Sequence, residues 1–200
     1  MSKQLAMAQA TERAVAALAD VDWPDRLLRL GLPAPTGDGT VSFRLFNEEV
    51  QLSLTDLQLR VSAGGVPVRA ADRILVLHYL QHSGCVAAAN RLVAFSEFPA
   101  GSFYLGPFRS RTVDPLLARF GNDLETLRAR LTRLAAVAVP LGDVGARIRA
   151  FGPLCVTLVY RRGDDEFAPT ADLLFDACFL GVFGTEDATV LASRICLGLL

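Results

Sequence analysis

Acidic residues are most concentrated in residues 161–187, where they are interspersed with phenylalanine and leucine. Several converging carboxylates could hold a hard cation, and two carboxyls with different pKa values could act as a general acid and a general base. Glu166 and Asp176 are the acids of this segment for which local structure offers the weakest explanation. They are therefore the candidate catalytic residues of a metal-assisted or acid–base enzyme.

The remaining acids of the segment have structural explanations. The sequence G-D-D-E at residues 163–166 is typical of a tight turn, which explains Asp164 and Asp165 as solvated acids balanced by an adjacent arginine. The sequence T-E-D at residues 185–187 indicates a helix start, with Thr185 as the N-cap and two acids at the positive end of the helix dipole. Neither group requires a role in catalysis.

A second candidate site lies in a stretch bounded by glycines, where Arg109 and Arg111 occur close to Phe103, Tyr104 and Phe108. A guanidinium can hold a carboxylate or phosphate while an aromatic face covers the ligand. Arg109, Arg111 and Tyr104 are therefore the candidate ligand-binding residues, on a predicted loop. The alternative is a surface loop whose arginines pair with local acids.

His78 and His82 are the histidines of the chain, and their i, i+4 spacing places them on one face of a predicted helix. Two-histidine metal sites use this spacing, with a third ligand that could come from Cys85 or from the acidic segment. The H-E-x-x-H motif is absent, and histidines that make hydrogen bonds at a helix edge are the more common cause of this spacing. The sequence therefore assigns no metal ligand.

Other motifs that would identify a cofactor or a covalent mechanism are absent. The chain contains no dinucleotide-binding fingerprint, P-loop, G-x-S-x-G motif or Cys–His signature. The cysteines are widely spaced without a C-x-x-C pair, which argues against zinc knuckles and iron–sulfur motifs and predicts buried, reduced thiols. They are Cys85, Cys155, Cys178 and Cys196.

Composition limits the partners. The 20 basic and 21 acidic residues nearly cancel, so the chain has no basic field for nucleic acid. The apolar fraction of 52% exceeds the usual roughly 45–50%, which a buried homodimer face or simple alanine and leucine enrichment would explain. No apolar run approaches the roughly 18 residues of a membrane span, and the first residues lack the apolar core of a signal peptide. The sequence predicts a cytoplasmic protein without membrane contact.

The hydrophobic periodicity predicts an α+β fold, with an antiparallel or mixed sheet packed against a central helix and further helices. Alternation with a period of two predicts hairpins within residues 40–68 and strands at residues 144–151 and 154–160. Residues 72–83 are apolar around most of a helical circumference, as expected of a central helix, and residues 185–200 predict a C-terminal helix.

We expect one globular unit, with an N-terminal helical segment and linker at residues 1–35 and the α+β domain at residues 36–200. Several short segments of that domain together resemble a bacterial and archaeal family catalogued as domain of unknown function 3786. They are I-L-V-L-H-Y-L at 74–80, F-S-E-F-P-A-G-S-F-Y at 95–104, L-L-A-R-F-G at 116–121, G-D-D-E-F at 163–167, L-L-F-D at 173–176 and T-E-D at 185–187.

The resemblance implies a prokaryotic, cytoplasmic protein, often from an anaerobe, with an iron–sulfur module attached in some relatives. This chain lacks the cysteines for such a module. No activity follows from the resemblance. Two functions remain open: a non-enzymatic module that binds an unknown protein or small molecule, and a metal-assisted or acid–base enzyme that acts on a small anionic substrate. The enzyme requires Glu166, Asp176 and an arginine to line one pocket.

Overall fold

The computed structural model describes residues 3–200, without the side chains of residues 3, 4 and 6. Its longer helices are α1 (Lys3–Ala16), α2 (Trp23–Arg29), α3 (Ala70–Gln81), α4 (Gly101–Arg111), α5 (Val113–Phe120), α6 (Leu124–Arg133) and α8 (Thr185–Leu199), and α7 is a single turn (Phe179–Val182). Its strands are β1 (Thr40–Leu45), β2 (Glu48–Ser53), β3 (Leu59–Val61), β4 (Leu92–Ala94), β5 (Val137–Val139), β6 (Val144–Phe151), β7 (Leu154–Arg161) and β8 (Thr170–Asp176).

The chain divides into two compact units, Met1–Ala87 with Phe151–Pro153 and Ala88–Ala150 with Leu154–Leu200. We call them unit 1 and unit 2. The predicted division at residue 35 stays a prediction, and residues 1 and 2 of the predicted N-terminal segment lie outside the described residues.

Unit 1 contains the three-stranded sheet β1-β2-β3 and the helix α3. Val41 pairs with Leu52 and Phe43 with Val50 in the antiparallel register of β1 and β2, and all four side chains are buried. Burial therefore follows the alternation of the sequence, which confirms the hairpins predicted within residues 40–68.

The predicted central helix is also confirmed, because α3 is buried around most of its circumference. Tyr79 on this helix is fully buried, and its hydroxyl donates a hydrogen bond to the carbonyl of Leu30, which satisfies the polar end of the ring. The same ring meets Phe151 edge to face, with 5.1 Å between the centroids.

Unit 2 contains the five-stranded sheet in the order β4-β8-β7-β6-β5. The strands predicted at residues 144–151 and 154–160 form as β6 and β7. The long strand β8, which pairs antiparallel with both β4 and β7, was not predicted. Its sequence T-A-D-L-L-F-D alternates only partly between apolar and polar residues, because Leu173 and Leu174 follow each other. The periodicity of a half-buried strand is therefore weak in this segment.

The core of unit 2 includes a cluster of phenylalanines around Phe175 of β8. The centroid of Phe175 lies 5.0 Å from that of Phe98 and 5.2 Å from that of Phe179, in edge-to-face contacts. Phe95 stacks on Phe108 of α4 at 3.9 Å, and these two rings also lie against Phe175. Such aromatic pairs add to the free energy of area burial, so the cluster joins β8 to α4 and α7.

The predicted α+β class is confirmed by these helices and the two antiparallel sheets. Within residues 3–200, no helix combines the length and the apolar character needed to cross a membrane.

One correction concerns residues 101–111, which the sequence predicted as a loop bounded by glycines. They form the helix α4, with Pro107 inside it. Proline removes one helical hydrogen bond and crowds the carbonyl four residues earlier, here that of Phe103. Because residues 102–107 are all exposed, water can satisfy this carbonyl, and the helix tolerates the proline.

The start of α4 depends on a glycine. A Cβ at Gly101 would lie 2.1 Å from the carbonyl oxygen of Phe95 and 3.2 Å from the Cα of Ser96, both backbone atoms that cannot rotate away. We therefore expect Gly101→Ala to lower the free energy of unfolding by about 2 kcal/mol or more, through overpacking and displacement of α4. Urea denaturation measures the change.

Gly181 in α7 is the matched control, because a Cβ there would meet no atom within 4 Å. Gly181→Ala should leave the free energy of unfolding unchanged or raise it slightly, since alanine favours helix over glycine. Equal stability of the two variants would contradict the close packing of α4 on residues 95 and 96.

Candidate functional site

Helices α4 and α8 border a cavity of about 550 Å³, within the range of roughly 300–1,000 Å³ typical of small-molecule sites. We call it the α4–α8 cleft. The lining residues are Pro99, Tyr104, Pro107, Phe108 and Arg111 from α4 and the turn before it, and Thr185, Glu186, Thr189 and Val190 from the first turns of α8.

Packing and hydrogen bonds fix both walls of the cleft. Phe108 is buried by its stacking on Phe95, so the α4 wall is held against the phenylalanine cluster. On the other wall, the Thr185 hydroxyl donates to the carbonyl of Pro99 at 2.5 Å, which ties the start of α8 to the turn before α4. The Thr189 hydroxyl donates to the carbonyl of Thr185 at 2.8 Å.

The start of α8 differs by one residue from the prediction. The sequence predicted Thr185 as the N-cap, whereas the N-cap is Gly184 and Thr185 is the first helical residue. The Thr185 hydroxyl bonds a carbonyl outside the helix instead of a helical N–H group. Glu186 and Asp187 do lie in the first turn, as predicted.

The two predicted ligand-binding arginines have different environments. Arg109 forms an ion pair with Asp114 at 3.3 Å and does not line the cleft, which matches the alternative of an arginine paired with a local acid. Arg111 lines the cleft with Tyr104, is exposed, and makes no ion pair with any residue in 3–200. The structure therefore brings Arg111 and Tyr104 together at one cavity.

Asp176 is a structural anchor at the end of β8. Its carboxylate accepts hydrogen bonds from the backbone N–H groups of Ala89 at 2.9 Å, Asn90 at 3.1 Å and Cys178 at 3.0 Å. Burial acts to raise the pKa of this carboxyl, but the backbone N–H groups outweigh burial and hold the pKa below its ordinary value. The charge of Asp176 is thus balanced by the backbone of residues 89, 90 and 178.

Glu166 lies exposed in the turn between β7 and β8. The backbone N–H groups of Glu166 and Phe167 donate to the carboxylate of Asp164 at 2.9 Å and 2.8 Å, and these bonds lower the pKa of Asp164. The predicted turn is therefore confirmed. Arg161, which was expected to balance the acids of this turn, pairs instead with Asp172 of β8 at 3.3 Å.

The two candidate catalytic acids do not meet. Glu166 lies in the turn before β8, and Asp176 is the last residue of β8. The full length of this extended strand, about 20 Å, therefore separates the two acids. Neither acid lines the α4–α8 cleft. The geometry places Arg111 with Glu186, and not with Glu166 or Asp176.

The histidines considered as metal ligands lie in α3 and at its end. His78 is in α3 and His82 is the residue that ends it, and both are half-buried. Among residues 3–200, no group of three or more His, Cys, Asp and Glu side chains is placed to hold a metal ion.

The cysteines are free thiols, but the prediction that all four are buried is wrong for Cys85, which is exposed in the segment between α3 and β4. Cys196 is buried, and Cys155 and Cys178 are half-buried. Burial raises the pKa of the Cys178 and Cys196 thiols to about 12, which disfavours the thiolate that nucleophilic attack would need.

Sequence reasoning missed the role of α8 in the cleft. Thr185 and Glu186 were explained as a helix start, and no role was predicted for Thr189 and Val190. The available signal was that Thr185 and Thr189 are spaced i, i+4 beside Glu186, which places polar groups on one face of the first two turns.

The anchoring of Asp176 generates a prediction. Asp176→Asn replaces a carboxylate that accepts three N–H groups by an amide with one acceptor oxygen, and should lower the free energy of unfolding by about 1.5–3 kcal/mol. Asp172→Asn, on the same strand, is the control, because its exposed ion pair should contribute less than about 1 kcal/mol.

The pH dependence follows from the lowered pKa of Asp176. A carboxyl whose folded pKa is depressed contributes stability that is present above the unfolded value, about 3.9, and is lost as the pH falls through the folded value. Urea titrations at pH 7 and pH 3 should show a smaller acid-induced loss of stability in Asp176→Asn than in the unmutated chain. An equal loss in both proteins would refute the anchoring role.

The model of the family described as "Domain of unknown function (DUF3786)" matches residues 22–197 of the 200-residue chain. No curated protein and no solved structure matches the chain. The matched span contains every residue that lines the α4–α8 cleft, together with Asp176 and the phenylalanine cluster. The resemblance seen in the sequence is therefore confirmed, and the chain belongs to the family of domain of unknown function 3786.

Proposed function

We propose that this protein is a non-enzymatic binding module whose ligand site is the α4–α8 cleft. The observation that carries the proposal is the position of Arg111, an exposed guanidinium without an ion pair in residues 3–200, on the wall of a cavity of about 550 Å³. A cation of this kind beside aromatic and apolar side chains is suited to hold the anionic group of a small organic ligand.

The remaining lining residues indicate what else the ligand contains. Pro107, Phe108 and Val190 present apolar surface, and the Tyr104 hydroxyl can donate or accept a hydrogen bond. An apolar body of the ligand would contact these side chains while its carboxylate binds Arg111. A small organic carboxylate with an apolar part therefore fits better than an inorganic anion.

The alternative, a metal-assisted or acid–base enzyme acting on a small anionic substrate, has less support. It requires Glu166 and Asp176 to line one cavity with an arginine, whereas both lie outside the cleft. The carboxylate of Asp176 is also occupied by three backbone N–H groups. A substrate held by Arg111 would meet neither acid.

Ligand binding is tested with 3-phenylpropionate, which combines a carboxylate with an aromatic body. At millimolar concentration it should shift the backbone amide resonances of residues 104–111 and 185–190. Arg111→Gln should weaken its affinity about 10- to 100-fold, because charge-assisted hydrogen bonds to the carboxylate are lost.

Arg109→Gln is the matched control, since Arg109 lies on the same helix and pairs with Asp114 outside the cleft. It removes the same charge and should leave the affinity unchanged. An equal effect of the two substitutions would indicate long-range electrostatics and would contradict the assigned site.

We also propose a homodimer, supported by the exposed turn of α4. Residues 102–107 are all exposed, and they include Phe103 at 89%, Tyr104 at 57% and Leu105 at 39% of their full accessibility. Adjacent exposed apolar side chains of this size mark interaction surfaces, and the net charge of −1 gives two copies little reason to repel each other. A cytoplasmic location stays a prediction from the sequence and the resemblance, and a prokaryotic, anaerobic origin stays a prediction from the resemblance.

Light scattering at micromolar concentration tests the dimer. The unmutated chain should give about twice the 21.5 kDa mass of one copy, and Phe103→Ser should shift it towards 21.5 kDa. Phe103 does not line the cleft, so the same variant should bind 3-phenylpropionate normally unless the dimer contributes to the site. A monomer at all concentrations would overturn the homodimer and leave the ligand site unaffected.

A further inference from the structure

We infer that the α4–α8 cleft selects zwitterionic α-amino acids with an apolar side chain, with Arg111 binding the carboxylate and Glu186 binding the ammonium group. This inference rests on the proposed function and adds the class of ligand. It follows from the opposite hydrogen-bonding character of the two walls of the cleft.

The α8 wall offers acceptors. The single hydroxyl proton of Thr185 is donated to the carbonyl of Pro99, and that of Thr189 to the carbonyl of Thr185. Each hydroxyl therefore has only oxygen lone pairs left for a ligand. Glu186, an exposed carboxylate between these threonines in sequence, is also an acceptor when ionised. A ligand that meets this wall must bring hydrogen-bond donors, and a positively charged N–H group also balances the charge of Glu186.

The α4 wall offers donors and positive charge. The Arg111 guanidinium carries only N–H donors, and the Tyr104 hydroxyl can add another. Arg111 and Glu186 line the same cavity but form no ion pair with each other. Each charge therefore remains available to a ligand, and a molecule with a carboxylate at one side and an ammonium at the other can bind both.

The charges also disfavour other anions. A phosphate dianion at Arg111 would share the cleft with the Glu186 carboxylate, and Asp187 adds a second acid to the same helical turn. The positive end of the α8 dipole attracts anions, but these two acids already occupy it. A carboxylate with an ammonium group beside it avoids the repulsion, because its positive charge faces Glu186.

Pro107, Phe108 and Val190 form the apolar surface of the cleft, which the apolar part of the ligand would contact. Phe108 is held by its stacking on Phe95 at 3.9 Å, so this surface is ordered before a ligand arrives. An ordered surface reduces the entropy lost on binding. An aromatic or branched aliphatic side chain could lie against it, since apolar contact is not specific for one shape.

Three probes separate the two charged groups of the ligand. L-Phenylalanine carries both, 3-phenylpropionate lacks the ammonium, and phenethylamine lacks the carboxylate. We expect L-phenylalanine to bind at least 10-fold more tightly than either of the others, measured by calorimetry and by amide shifts of the cleft residues. Glu186→Gln should lower its affinity at least 10-fold while the affinity for 3-phenylpropionate stays the same or rises.

Asp187→Asn is the matched control, because it removes the same charge from the same helical turn without altering the cleft lining. It should leave the preference for L-phenylalanine intact, and circular dichroism should confirm the fold of both variants.

If 3-phenylpropionate binds at the cleft as tightly as L-phenylalanine, or if Glu186→Gln leaves the preference unchanged, the zwitterion inference is wrong and the carboxylate site stands. Tighter binding of inorganic phosphate than of L-phenylalanine at the cleft would also show that the zwitterion inference is wrong. If none of the three probes shifts a cleft resonance, the proposed function fails as well.

Discussion

The contact of Phe175 with its neighbouring phenylalanines is the interaction on which the rest of unit 2 depends. Phe175 lies on β8, in the interior of the sheet, and its ring meets Phe98, Phe179 and Phe108. These residues come from the turn before α4, from α7 and from α4 itself. Through them, β8 determines where α4 lies, and α4 in turn forms one wall of the cleft.

The next residue of β8 fixes a different part of the unit. Side chains alternate between the faces of a strand, so Asp176 points away from the phenylalanine cluster. There it accepts three backbone N–H groups and holds residues 89 and 90 beside the strand end. A buried carboxylate is tolerated only when it is paired or hydrogen-bonded in this way. The features that made Asp176 resemble a catalytic acid are those of an anchor.

The charges that remain available to a ligand are at the surface. Arg109 and Arg111 differ by two positions, yet only Arg109 has a carboxylate within reach, that of Asp114. Arg111 and Glu186 instead share the walls of a cavity without meeting. A binding site needs groups whose partners are missing from the protein itself, and this distinction favours the cleft over the acids of the 163–166 turn.

Local pattern was sufficient for several elements. The alternation of Val41, Phe43 and Leu45 predicted β1, and the all-round apolar character of residues 72–83 predicted α3, because burial of one face or all faces leaves a direct periodic trace. The tight turn at Asp164 was predictable because its hydrogen bonds lie within three residues and depend only on local sequence. The α+β class follows from the order of such elements.

Other features depend on residues far apart in the chain. The Thr185 hydroxyl bonds the carbonyl of Pro99, 86 residues away, and this contact helps to create a cleft that neither α4 nor α8 contains alone. The helix α4 forms despite Gly101, Gly106 and Pro107 because Phe108 packs into the phenylalanine cluster, which outweighs poor helix propensity. The sequence by itself determined the class of fold and its hairpins, and it identified Arg109 and Arg111 as candidate ligand-binding residues. Only tertiary packing decided that Arg109 pairs with Asp114 while Arg111 lines a cavity, because the cavity forms between two helices that are distant in the chain.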